Sequence, residues 1–70
     1  MRKLEKSLRY RFKISGGKLI KGYPVKQEDN KIIIKTQHRS KNFTDICISK
    51  IQKIVCSDKK YGGVVYERRL

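Results

Sequence analysis

Seven consecutive residues constrain this chain most: Leu8-Arg9-Tyr10-Arg11-Phe12-Lys13-Ile14. Apolar and cationic side chains alternate there without a break, and a period of two marks a strand with one buried face. Leu4, Leu8 and Phe12 also fit a four-residue helical spacing. The reading is therefore a short helical turn over 2–7 and a strand over 8–14. Strand residues two apart share a face. If Leu8, Tyr10, Phe12 and Ile14 point inward, Arg9, Arg11 and Lys13 point outward together, about 6–7 Å apart.

Composition agrees. The chain has no alanine and four leucines, against nine isoleucines, four valines and four tyrosines. β-Branched and aromatic residues favour strands, whereas alanine and leucine favour helices. Ser15-Gly16-Gly17 is a turn signal. Lys18 to Gln27 reads as a second strand, bent or bulged at Gly22, with Pro24 at a sheet edge. After a turn at Glu28-Asp29-Asn30, a third strand covers 31–36, with Ile32 and Ile34 on one face. A polar connection over 37–42 leads to a fourth strand, 43–48, where Thr44, Ile46 and Ile48 oppose Phe43, Asp45 and Cys47. Ile48, Ile51 and Ile54 are three apart, which suits one turn of 3₁₀ helix near 49–53. Strands over 54–57 and 64–68 complete the chain, joined by a turn over 58–63.

This order resembles the SH3-like and Sm-like small barrels, including the YolD-like proteins. The resemblance rests on Asp29-Asn30-Lys31-Ile32-Ile33-Ile34, Phe43-Thr44-Asp45-Ile46-Cys47-Ile48 and the Ile-x-x-Ile turn of Ser49-Lys50-Ile51-Gln52-Lys53-Ile54, within residues 8–56. It implies an all-β barrel of five or six short antiparallel strands that binds nucleic acid or protein. No Sm-type RNA-site signature is present, so no binding residues carry over. The expected organisation is one small basic domain over 1–70.

Nineteen basic residues face six acidic ones, a net charge of +13. Solubility alone asks for a net charge of roughly 2–8, and self-repulsion at +13 opposes compaction unless an anionic partner relieves it. Nine basic residues and one acidic lie in 1–26, against ten and five in 27–70. The expected partner is a polyanion, nucleic acid first, with an acidic protein surface or a nucleoprotein complex as the alternative. Homodimerisation through an open strand edge is a further expectation.

The candidate nucleic-acid-binding residues are Arg9, Arg11, Lys13, Arg39, Lys41, Lys59, Lys60, Arg68 and Arg69. The first three form an outward stripe uninterrupted by acid, spaced within a factor of two of the charges along one nucleic-acid strand. An ordinary solvated strand face is the plain alternative. Arg39 and Lys41 belong to the loop His38-Arg39-Ser40-Lys41-Asn42. Lys59 and Lys60 adjoin Tyr61-Gly62-Gly63, where Tyr61 is either a base-stacking ring or an exposed hairpin residue. Arg68 and Arg69 extend the stripe if the last strand pairs with the first. Tyr10 and Phe12 share parity with Leu8 and Ile14 and read as core, not as a stacking platform.

No catalytic residue is assigned. Histidine can serve as a general acid or base near neutral pH, but no carboxylate stands at an informative spacing from His38. A non-enzymatic module is expected; an RNA-cleaving toxin using His38 and Tyr61 is the third class. Cys47 and Cys56 with one histidine fall short of the four ligands zinc takes, and no cofactor motif appears. The two cysteines could bridge only if the fourth and fifth strands adjoin. Charges break up residues 1–13 and no apolar run nears the ~20 residues of a membrane span. The expected setting is the cytoplasm, with both cysteines as thiols.

Overall fold

The computed structural model describes residues 3–58, 60 and 62–68. Six strands account for most of them: β1 (Tyr10–Ile14), β2 (Lys18–Gln27), β3 (Lys31–Lys35), β4 (Phe43–Cys47), β5 (Ile51–Cys56) and β6 (Gly63–Glu67). The only helical element among the described residues is a 3₁₀ turn, Ile48–Lys50. All pairings are antiparallel, in the order β4-β3-β2-β1-β5-β6. The expected all-β architecture is therefore present. The sheet is not closed, because β4 and β6 each keep one unpaired edge, so a barrel describes it only approximately. Among the described residues no helix is long and apolar enough to cross a membrane.

The alternation in β1 becomes burial. Tyr10, Phe12 and Ile14 face the core and Arg11 and Lys13 face out. Leu8 is half-buried just before the strand. The expected helical lead-in is instead an irregular segment with a turn, where the Leu8 N–H donates to the Glu5 carbonyl at 3.2 Å. Leu4 is nevertheless buried, held by its N–H on Gln27 Oε1 at 3.1 Å. The Glu5 N–H donates to the Tyr10 hydroxyl at 3.0 Å, which gives that buried ring a polar partner.

Ser15-Gly16-Gly17 makes a three-residue hairpin loop closed by Ile14 opposite Lys18. Gly16 and Gly17 have φ of +92° and +86°, which glycine adopts without steric cost. β2 pairs with β1 through its first half and with β3 through its second. At the changeover, a Cβ on Gly22 would stand 2.7 Å from the Lys35 carbonyl oxygen. The residue must be glycine for space. The register then slips between Pro24 and Lys26.

Pro24 lies on β2, internal in the strand order, but beyond the last β2 residue that pairs with β1. It is buried opposite Ile34 in a strand flanked on both sides. Proline is tolerated there because pairing with β1 ends at Gly22. Beyond that point no β1 residue pairs with β2, so a missing N–H costs little.

The fourth strand stops at Cys47, and the 3₁₀ turn begins one residue earlier than expected. The Ile48 N–H donates to the Asn30 carbonyl at 3.0 Å, and the Ser15 N–H donates to the Lys50 carbonyl at 2.8 Å. These bonds tie the turn to two hairpin loops. β5 begins at Ile51, earlier than the expected 54. Ile51 and Ile54 are both fully buried although an odd spacing should put them on opposite faces. A bulge resolves this: Lys13 pairs with Lys53 but Ile14 pairs with Ile51, so the register skips Gln52.

Among the described residues the core cluster has ten members: Leu4, and nine from β1, β3, β4 and β5. Phe12, Ile32, Ile34, Ile51 and Ile54 have no practical exposure. Cys47 is exposed on β4 and Cys56 buried on β5, and both are free. Their strands do not adjoin, which removes the condition for a bridge.

Candidate nucleic-acid interface

Antiparallel register lines up the outward residues of neighbouring strands. One row across the sheet reads Lys21, Arg11, Val55, Val64. The next reads Leu19, Lys13, Lys53, Glu67. Residues directly opposite each other have Cβ atoms about 4.5–5.5 Å apart, and like charges so placed repel. Arg11 faces Lys21, and Lys13 faces Lys53. Continuing the β1–β2 register by one residue sets Arg9 opposite Tyr23, on the same face.

None of the six acidic residues stands in β1 or in residues 18–22. Among the described residues no carboxylate lies within 4 Å of Arg9, Arg11, Lys13 or Lys21. Glu67 bounds the patch on β6, 3.9 Å from Lys53. Lys31–Asp45 and Lys26–Glu28, each at 3.4 Å, lie outside it. A groove of about 400 Å³ runs along this boundary between Lys13, Ser15, Gln52, Lys53, Glu67 and Arg68.

Arg9, Arg11 and Lys13 are thus exposed side by side, as the alternation predicts. Lys21 and Lys53 were not among the sequence candidates. Lys21 was readable, because a three-residue loop after Ile14 pairs it with Arg11. Lys53 was not, because its place depends on the distant β1–β5 pairing and its bulge.

Arg39 and Lys41 are exposed in the β3–β4 loop. That loop folds back over the outer face. The His38 ring lies on Tyr23, centroids 3.9 Å apart and planes 32° apart. The Lys35 ammonium donates to the His38 carbonyl at 2.6 Å and holds the loop there. Tyr23 was not singled out from the sequence.

Arg68 corrects an expectation. β6 pairs with β5 and not with β1, so Arg68 does not extend the stripe by closing the sheet. Its guanidinium donates to the carbonyls of Ser49 and, at 3.1 Å, Ile48. Its N–H donates to the Gln52 carbonyl at 2.9 Å. Arg68 clamps the 3₁₀ turn. Lys60 is exposed, and its N–H donates to Asp58 Oδ1 at 2.9 Å. Lys59, Tyr61 and Arg69 lie outside the described residues. Tyr10 and Phe12 are core, as read from their parity.

Comparison with protein-family models, curated proteins and solved structures finds no match. The interface stands on its own geometry. It offers a cationic strip on rigid strands, open to solvent, with no cluster of three or more acidic, histidine or cysteine side chains among the described residues to hold a metal.

Proposed function

We propose that this protein is a non-enzymatic nucleic-acid-binding module acting through the outer face of β2, β1 and β5. One observation carries the reading: Arg11 against Lys21 and Lys13 against Lys53 are like-charge pairs with acid absent from β1 and its half of β2. Such pairs cost stability in the free protein. A polyanion laid along the strip removes that cost and releases its own counterions. The SH3-like and Sm-like resemblance belongs to this reading, since the bent six-stranded sheet is compatible with a small barrel.

The test is a salt titration of affinity for a labelled oligonucleotide. The log–log slope should be about −0.7 per phosphate contacted on a single strand, or −0.9 on a duplex. Replacing both Arg11 and Lys13 by Gln should make the slope shallower by nearly two contacts' worth. An affinity indifferent to salt would falsify the proposal.

A second reading is a protein-interaction module, favoured by the unpaired edges of β4 and β6. It predicts partners that remain bound after nuclease treatment, whereas the first reading predicts their loss.

A further inference from the structure

A third row on the outer face joins aromatic rings to the cationic strip. Tyr23 on β2 stands opposite Lys35 on β3, and Lys35 stands opposite Phe43 on β4. Phe43 is 56% exposed, on a strand whose far edge is open. Tyr23 carries the ring of His38, an exposed residue. The two platforms, His38 on Tyr23 and bare Phe43, are separated by two strand spacings, or about 10 Å. Lys35 lies between them, and Arg39 and Lys41 belong to the same loop as His38.

Core packing does not explain these rings. Phe43 faces away from the buried row, because Ile46, an odd three residues further along β4, is the residue that enters the core. An exposed aromatic side chain beside cations is the arrangement that holds unpaired bases, since every base offers a π-face and every nucleotide a phosphate. A duplex keeps its base faces stacked inside and offers none of them to an exposed ring, whereas unstacked single-stranded bases can splay onto it.

We infer that the ligand is a single-stranded nucleic acid, its bases stacked on His38 and Phe43 and its phosphates running along Arg9, Arg11, Lys13 and Lys21. This rests on the nucleic-acid reading above and adds strandedness and the base-contacting residues to it. Lys35 acts as a positioning residue, fixing the His38 backbone so that the imidazole stays on Tyr23.

The test compares four labelled ligands by fluorescence anisotropy at one salt concentration: oligothymidine, oligouridine, an abasic strand with the same number of phosphates, and a duplex of the same length. All are about twelve nucleotides long. The base-bearing strands should bind about tenfold or more tighter than the abasic strand, and tighter than the duplex. Phe43→Ala and His38→Ala should each shrink that ratio several-fold and leave abasic affinity unchanged. His38→Phe should preserve it, which a mere loop latch without base contact would not require. Equal affinity for abasic and base-bearing strands overturns the stacking inference and leaves the charge-based reading standing. Tighter duplex binding, or Phe43→Ala and His38→Ala variants that leave the ratio intact, also overturns it. Failure to bind any of the four overturns both.

Discussion

Arg11 on β1 stands directly opposite Lys21 on β2, two cations side by side with no carboxylate to separate them. A cross-strand pair of opposite charge contributes roughly 0.2–1 kcal/mol, and a like pair costs a similar amount. Lys21→Glu removes that cost and adds the gain, and should therefore raise stability by up to about 2 kcal/mol, read as a higher urea midpoint at unchanged m-value. The same variant should bind nucleic acid less tightly. A rise in both stability and affinity would contradict the proposed role of this pair.

Glu67 is the single carboxylate in the two cationic rows, 3.9 Å from Lys53. Glu67 is exposed and Lys53 half-exposed, and the charges are nearly 4 Å apart, so the pair adds little to stability. Glu67→Gln should leave the urea midpoint within about 0.5 kcal/mol of the parent. It should tighten binding and steepen the salt slope by up to one contact, about 0.7–0.9.

Gly22 has no room for a methyl group, with the Lys35 carbonyl oxygen 2.7 Å and Ile34 Cδ1 2.9 Å from the Cβ position. Gly22→Ala should cost about 1–3 kcal/mol, the usual range for overpacking. A domain this small has only roughly 3–5 kcal/mol from its core, so circular dichroism should show a markedly lower melting temperature. Gly17→Ala, with open space around it but φ of +86°, should cost less.

Arg68 holds the Ile48 and Ser49 carbonyls with two arms of one guanidinium. Arg68→Ala should lower stability by about 1 kcal/mol, the net worth of an exposed charged hydrogen bond. Arg68→Lys should recover little, because an ammonium lacks the planar fork. Neither variant should change the salt slope of binding by a full contact, in contrast to Arg11→Gln.

The sequence made the outward stripe legible because alternation in β1 is local: Arg9, Arg11 and Lys13 follow from period two alone. The β1–β2 hairpin was equally local, since two glycines set its loop. What the sequence obscured depends on register between distant segments. Ile51 and Ile54 looked like a 3₁₀ repeat, and only the bulge opposite Lys13 and Ile14 places both in the core. Arg68 looked like part of the cationic face because sheet closure would have brought it to β1, whereas β6 joins β5. Pro24 looked like an edge residue because proline lacks a donor, and the strand accommodates it where pairing with β1 has already ended. Tyr23 escaped notice because its partner, His38, reaches it through a loop.

β1 sits in the middle of the sheet yet comes early in the chain, and its second neighbour comes late. Tyr10 pairs with Cys56, about 46 residues further on. During synthesis at roughly 5–20 residues per second, β1 therefore waits on the order of 2–9 s for β5 to be made. Through that interval Phe12 has only the β2 side of its site, and one edge of the strand that carries Arg11 and Lys13 is bare. Folding of this chain is gated by its last third, so truncation before Cys56 should leave the β1–β4 segment without a finished core, not merely shorter.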